Sequence, residues 1–174
     1  MQGFSVPIAH LLGRPGDYKD IELSAVLTGV GTSLATVCNE PVTGRLRLES
    51  VVEGILVTGE LEATTMVRCS RCLEATKAGL ATRVLEMFVA PGHEDAAEDD
   101  SYRITGMELD LEPMVRDAIG LALPINPLCR IDCRGICAGC GTNLNEGVCV
   151  CSRDDVDPRW APLSGLAEKL AHQS

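Results

Sequence analysis

The sequence predicts an α+β protein with an antiparallel β-sheet, a few helices and a C-terminal cysteine-rich module. Three observations lead to this fold class. Several stretches before residue 90 alternate apolar and polar residues, as half-buried strands do. One stretch between residues 109 and 122 repeats its apolar residues with the period of a helix. Eight of the nine cysteines occur as four close pairs, most of them near the C-terminal end.

The strand predictions begin after Gly13-Arg14-Pro15-Gly16, a cluster of helix breakers that ends a short helical turn expected within residues 1–16. Residues 19–27 (KDIELSAVL) alternate and predict the first strand. Residues 45–52 (RLRLESVV) and 55–67 (ILVTGELEATTMV) predict two more, joined by a tight turn at Glu53-Gly54. A further β-like run follows at residues 80–89, and the three runs from residue 45 onward predict an antiparallel meander.

The clearest helix is predicted over residues 109–122, with Asp110 as its N-cap, Pro113 in its first turn and Pro124 after its end. Its apolar face comprises Leu111, Met114, Val115, Ala118, Ile119 and Ala122. A second helical pattern begins at Asp157-Pro158. Its apolar residues are Trp160, Leu163, Leu166 and Leu170.

These elements predict two regions. Residues 1–126 form a sheet-plus-helix domain, in which residues 91–101 (PGHEDAAEDDS) are a solvated acidic loop. Residues 127–174 form the cysteine-rich module and the C-terminal helix, expected to pack on the first part as one domain.

The sequence predicts a cytoplasmic protein. The first residues have no basic segment followed by an apolar one, so we expect no export signal, and no run is long enough to span a bilayer. Structural disulfides are rare in a reducing compartment, and nine cysteines do not form a closed set of pairs. Clustered cysteines in such a protein are more typical of metal ligands.

The cysteine spacing predicts structural zinc, one or two ions. Zinc takes four thiolate or imidazole ligands, commonly supplied as two short chelating pairs. The run C-x2-C-x8-C-x-C supplies such a set in Cys137, Cys140, Cys149 and Cys151. A second set would consist of Cys69, Cys72, Cys129 and Cys133. A competing allocation gathers Cys129, Cys133, Cys137 and Cys140 around one ion, and the spacing leaves that choice open.

Other chemistry has less support in the sequence. An iron–sulfur cluster could use the same cysteines, but their spacing matches neither common ferredoxin run. Cys69-Ser-Arg-Cys72 could be a redox pair, yet a β-like run follows it where a thioredoxin-type site has a helix. Cys38 is interpreted as a small apolar or loop residue. His10, His93 and His172 lack zinc-enzyme spacing, so we expect no enzymatic activity and no small-molecule substrate.

Several motifs together resemble the YceD family of large ribosomal RNA accumulation proteins. The similarity covers roughly residues 40–165 and keeps the order of every motif. The motifs are CSRCL from residue 69, LALP from 121, PLC from 127, DCRGIC from 132, CGTNLN from 140, CVC from 149 and DPRW from 157.

The resemblance implies a bacterial protein, with relatives in plant plastids, that acts in the synthesis, processing or stability of the large-subunit rRNA. Some members of that family lack most of these cysteines, which implies that the metal stabilises the fold. Genes of the family often neighbour that of a small large-subunit ribosomal protein. The resemblance implies no catalytic residues for this chain. The alternative hypothesis, drawn from the cysteines, is a thiol-based redox or metal-responsive regulator.

The net charge of −10 disfavours broad contact with RNA phosphates. Each zinc tetrathiolate would add a charge of about −2, which would bring the chain to about −14. We therefore expect the chain to reach the pre-large-subunit ribosomal particle through a basic ribosomal protein, or through a local rRNA contact. The candidate residues for a local contact are Arg130, Arg134, Arg153 and Arg159.

Overall fold

A computed structural model describes residues 3–93 and 102–151, together with residues 159 and 163. The chain divides into two compact units, Met1–Cys133 and Arg134–Ser174. Most of the predicted acidic loop and of the predicted C-terminal helix lies outside the described residues. The expected division of the domains at residue 126 stays a prediction. Among the described residues, no helix is both long and apolar enough to cross a bilayer.

The first unit consists of strands followed by one helix. The strands are β1 (Ser5–Pro7), β2 (Tyr18–Val26), β3 (Ala35–Val37), β4 (Pro41–Ser50), β5 (Gly54–Arg68), β6 (Ala75–Val89), β7 (Tyr102–Arg103) and β8 (Glu108–Asp110). The helix is α1 (Glu112–Ala122). The larger sheet has the order β2-β4-β5-β6-β7, with β3 also paired to β5, and β1 pairs with β8 in a second sheet. The predicted α+β class, with a mainly antiparallel sheet and a helix, is confirmed.

The predicted meander is present as β4, β5 and β6, which pair antiparallel in succession. Alternation places Leu46 and Leu48 of β4 and Val57 and Leu61 of β5 in the core, where each is at most 2% exposed. Burial of one such side chain contributes about 1.5–3 kcal/mol. The only parallel pair among the described strands joins β6 to the short β7 at Phe88 and Tyr102.

The start of the helix differs from the prediction. Leu109 and Asp110 belong to strand β8, and the N-cap is Leu111, which has no side-chain capping bond. The Asp110 carboxylate still accepts the N–H of Glu112 at 2.9 Å. Pairing of Val6 with Leu109 extends the backbone here, a contact that the local helical period cannot reveal. The predicted apolar face is largely correct, since Leu111, Met114, Val115 and Ile119 are buried.

The N-terminal prediction is also partly wrong. A turn does precede Gly13-Arg14-Pro15-Gly16, because the Leu12 N–H donates to the Ile8 carbonyl at 3.2 Å. However, residues before this turn form β1 rather than helix. Ile8 and Leu11 of the turn are buried in the core.

The first pair of cysteines lies in the turn between the two longest strands. Strands β5 and β6 each have 15 residues, and they are paired along their whole length, up to the last pair, Arg68 and Ala75. Residues 69–74 connect them, so Cys69 and Cys72 lie in the turn at the end of the β5–β6 ribbon, next to the point where β3 pairs with β5 at Thr65–Val67.

Candidate metal centres

The eight paired cysteines come together in two groups of four in the described part of the chain. The first group, which we call the ribbon cage, consists of Cys69, Cys72, Cys129 and Cys133. The second group, the C-terminal cage, consists of Cys137, Cys140, Cys149 and Cys151. All sulfur atoms of a group lie within 4.8 Å of one another. The competing allocation around Cys129, Cys133, Cys137 and Cys140 is not formed.

The C-x2-C turn of the ribbon cage is held by three backbone donors. The Arg71 N–H donates to the sulfur of Cys69 at 3.4 Å. The Leu73 N–H donates to the Cys69 carbonyl, and the Cys69 N–H to the Glu74 carbonyl, both at 2.9 Å. Leu73 makes this tight reversal possible by adopting a left-handed conformation, with φ of 63°. The turn therefore directs both sulfurs to one side, as a chelating pair requires.

Residues after the helix complete the ribbon cage. Cys133 Sγ lies 3.7 Å from Cys69 Sγ, and Cys129 Sγ lies 3.6 Å from Cys72 Sγ. The Arg71 guanidinium donates to the Cys133 carbonyl at 2.9 Å. The Ser70 N–H donates to the Pro127 carbonyl at 2.8 Å. These two contacts join the ribbon to the segment after α1 independently of any ion.

The C-terminal cage repeats the same turn. The Gly139 N–H donates to the sulfur of Cys137 at 3.4 Å. The Gly141 N–H donates to the Cys137 carbonyl at 2.9 Å, and the Cys137 N–H to the Thr142 carbonyl at 2.8 Å. Gly141 has φ of 74°, so it occupies the position that Leu73 has in the ribbon cage. Two sequence segments with different residues thus form one hydrogen-bonding pattern.

The C-x-C pair completes the second cage. The Cys149 sulfur lies 3.2 Å from that of Cys137 and 3.5 Å from that of Cys140. The Cys151 N–H donates to the Cys149 sulfur at 3.2 Å. The intervening turn is held by Asn143, whose side-chain oxygen accepts the N–H of Asn145 at 3.0 Å.

Both groups fit a tetrahedral metal ion. A zinc–sulfur bond of about 2.3 Å implies sulfur–sulfur distances of about 3.8 Å in a tetrahedron. The sulfur–sulfur distances of 3.6 and 3.7 Å in the ribbon cage agree closely with this value, and those of 3.2 and 3.5 Å in the C-terminal cage are somewhat shorter. Every cysteine is a free thiol. Four sulfurs in this arrangement suit zinc or iron, so metal binding is supported, whereas zinc itself stays a prediction.

The electrostatics of the ribbon cage favour a cation. Backbone N–H groups, first that of Cys72 and then that of Cys129, lower the pKa of the Cys69 thiol to about 6. Burial and the neighbouring sulfur of Cys72 raise the pKa of Cys129 to about 12. Four thiolates at such distances repel one another, and a divalent cation relieves that repulsion.

In the C-terminal cage, too, one thiol has a lowered pKa and another has a raised pKa. The Thr142 hydroxyl, followed by the Thr142 backbone, lowers the pKa of the Cys140 thiol to about 6. The sulfurs of Cys149 and Cys140 raise the pKa of Cys151 to about 12. One thiol of the cage therefore ionises readily at neutral pH, while another needs a cation beside it.

Some residues of these cages were not predicted from the sequence. The guanidinium of Arg71 and the left-handed Leu73 have no spacing signal of their own. The equivalence of Leu73 and Gly141, each directly after a C-x2-C, is the pattern that could have identified the position of Leu73. Cys38 lies in neither cage, and its N–H donates to the Thr64 carbonyl of the sheet at 2.8 Å.

The ordered motifs of the two cages are matched by a family model, described as Large ribosomal RNA subunit accumulation protein YceD, over residues 57–167. The chain belongs to the YceD family. An uncharacterized protein of Mycobacterium tuberculosis is 40% identical over 164 residues, which cover 91% of this chain and 79% of that protein. The long similarity shows that relatives of this chain occur in bacteria.

Two plant proteins carry the YceD family description in their names. The chloroplastic YCED homolog 1 of Arabidopsis thaliana is 36% identical over 63 residues, covering 36% of this chain and 20% of that protein. The chloroplastic YCED homolog 1 of Zea mays is 26% identical over 154 residues, covering 71% and 49%. Both are named large ribosomal RNA subunit accumulation proteins. No solved structure matches the chain.

Proposed function

We propose that this YceD-family chain supports biogenesis of the large ribosomal subunit without catalysing a reaction, and that zinc in both cages stabilises its fold. The observation that carries the proposal is the presence of two four-cysteine groups in a chain that matches this family over residues 57–167. The names of the plant relatives supply the connection to large-subunit rRNA.

The cage geometry supports a structural role for the metal. A catalytic zinc has three protein ligands and keeps a fourth position for water or substrate. Each cage supplies four sulfurs within 4.8 Å of one another, so a tetrahedral ion would have no open position. The ribbon cage would connect two segments that are far apart in sequence, because Cys69 and Cys133 are 64 residues apart. An ion there would add a cross-link between the sheet and the segment after the helix.

Charge favours a basic protein over RNA as the direct partner. Among the arginines considered for a local RNA contact, Arg130 forms an ion pair with Asp132 at 3.5 Å, and Arg153 lies outside the described residues. Elsewhere, a groove of about 800 Å³ is lined by Glu86, Tyr102, Asp117 and Arg116, and the Arg116 guanidinium is paired with the Glu112 carboxylate at 2.7 Å. Its carboxylates suit the lysine and arginine side chains of a ribosomal protein, whereas they would repel phosphate. We propose this groove as the contact for such a protein.

Depletion of the protein tests the proposed function. We expect large-subunit particles to decrease relative to small-subunit particles in a sucrose gradient, with a matching fall in large-subunit rRNA. Wild-type protein and Cys38→Ser should restore the ratio. The double variant Cys69→Ser/Cys72→Ser should restore it poorly, because the ribbon cage would be lost. An unchanged subunit ratio after depletion would count against the ribosomal function.

The groove is tested by direct binding. Purified protein is mixed with purified large-subunit ribosomal proteins, and the double variant Glu86→Gln/Asp117→Asn is compared with Glu49→Gln/Glu62→Gln. Both variants change the net charge equally, but Glu49 and Glu62 lie on strands β4 and β5 away from the groove lining. Selective loss of binding in the groove variant supports the contact. Equal loss in both would indicate only general charge attraction.

A further inference from the structure

The two cages have the same backbone pattern but differ in exposure. In the ribbon cage, Cys69, Cys72 and Cys133 are 0%, 6% and 3% exposed, and Cys129 is half-buried. In the C-terminal cage, Cys140 and Cys151 are exposed, and the other two cysteines are half-buried. A small oxidant in solution therefore has more access to the cysteines of the C-terminal cage than to those of the ribbon cage.

We propose that Cys140 and Cys149 of the C-terminal cage are an oxidation site for peroxides, and that their oxidation releases the metal of this cage alone. The inference rests on the metal loading assumed in the proposed function. Its basis is the exposed residue Cys140, whose sulfur lies only 3.5 Å from that of Cys149. The oxidant is a peroxide in solution, and no other co-reactant is needed.

The reaction has two steps. The Cys140 sulfur attacks one peroxide oxygen, so that a sulfur–oxygen bond forms, the oxygen–oxygen bond breaks and hydroxide leaves. The Cys149 sulfur then attacks the sulfur of this sulfenic acid, forming a disulfide and expelling a second hydroxide. The two sulfurs together lose two electrons, which the peroxide oxygens gain. Only Cys137 and Cys151 would remain as ligands, too few for a structural zinc site.

Local contacts favour Cys140 as the sulfur that reacts first. It is exposed, and the Thr142 hydroxyl lies 3.1 Å from its sulfur, where it can hold the thiolate in place. The corresponding cysteine of the ribbon cage, Cys72, is buried, and its sulfur lies 3.6 Å from that of Cys129. Closeness of sulfurs is thus common to both cages, whereas access to solvent distinguishes them.

Oxidation of the intact, zinc-loaded chain tests this inference. Its zinc content is first measured, and hydrogen peroxide is then added while a colorimetric chelator records released zinc. Differential alkylation and peptide mass spectrometry identify the oxidised cysteines. We expect a fast phase that releases one zinc per chain and produces the Cys140–Cys149 disulfide, with the four cysteines of the ribbon cage still reduced. Cys38→Ser serves as the matched control and should give the same fast phase.

The outcomes separate this inference from the proposed function. Two bound zinc ions that leave at the same rate, or disulfides that form first in the ribbon cage, would overturn the oxidation site while leaving structural zinc intact. A chain that takes up no zinc would instead overturn the metal part of the proposed function. In Cys149→Ser, the sulfenic acid at Cys140 should persist and be trapped by dimedone. Absence of that adduct would contradict Cys140 as the attacking sulfur.

Discussion

Leu73 and Gly141 have the same left-handed backbone conformation, with φ of 63° and 74°. Each follows the second cysteine of a C-x2-C turn, and each donates its N–H to the carbonyl of the first cysteine at 2.9 Å. This conformation costs a residue with a Cβ about 1–2 kcal/mol, whereas glycine adopts it freely. The ribbon cage therefore includes a backbone strain that the C-terminal cage lacks.

Replacing Leu73 with glycine should relieve this strain. We expect Leu73→Gly to raise the free energy of unfolding of the zinc-loaded protein by up to about 1 kcal/mol, because the strain relieved exceeds the flexibility gained by the unfolded chain. Little packing is lost, since Leu73 is 51% exposed. Leu73→Val should lower the same free energy, because a β-branched residue fits this conformation worse. Urea unfolding measures both, and a destabilised Leu73→Gly would contradict the interpretation.

Removing one ligand from each cage should have unequal effects. Cys133→Ser should lose one zinc ion and destabilise the first unit by about 4 kcal/mol, if free zinc is near 1,000 times its dissociation constant. Cys151→Ser should also lose one zinc ion, but the unfolding midpoint of the sheet should change little. Metal analysis and circular dichroism of the β-sheet signal during heating measure the two effects. Equal loss of sheet stability in both variants would disagree with this expectation.

The thiols of the metal-free C-terminal cage should differ in reactivity. At pH 7 the Cys140 thiol, with a pKa of about 6, is mainly thiolate, whereas Cys151, with a pKa of about 12, is protonated. Both side chains are exposed, so access does not separate them. Iodoacetamide in the presence of a chelator should therefore label Cys140 first. Lowering the pH to 5 should slow that labelling several-fold, because the Cys140 thiolate becomes protonated.

Peptide mass spectrometry over time distinguishes this expectation from loss of local structure. If the metal-free segment loses its fold, the Thr142 contacts that lower the pKa of Cys140 disappear. Cys140 and Cys151 would then be labelled at similar rates, with the ordinary pH dependence of a free thiol. That result would show that these contacts require the bound metal.

Substitution by alanine should affect stability differently at two glycines of the sheet. A Cβ on Gly59 of β5 would clash with the Arg45 carbonyl oxygen of β4, and the φ of Gly59 is 152°. Gly59→Ala should therefore disturb the β4–β5 pairing and cost about 3 kcal/mol or more. Gly79 of β6 has nothing within 4 Å of an added Cβ, so Gly79→Ala should be neutral or slightly stabilising. Chemical unfolding of both variants checks the contrast, and equal costs would refute it.

Local sequence patterns were sufficient for most of the fold. Alternation predicted β2, β4 and β5 because each of these strands has one buried and one exposed face. The helical period likewise predicted the buried face of α1. Strand β3 was missed because its three residues are too few to show alternation, and its pairing partners, Thr65 to Val67, lie far along the chain.

The sequence by itself determined that eight cysteines occur as four close pairs suited to chelation, because one to three intervening residues keep both sulfurs of a pair within one turn. Only the tertiary structure decided which pairs meet. Cys69 and Cys133 are 64 residues apart, and they approach because the β5–β6 ribbon and the segment after α1 fold together. The tertiary structure also decided how exposed the cysteines of each cage are. The two C-x2-C turns have the same local geometry, and their burial depends on the chain packed around them.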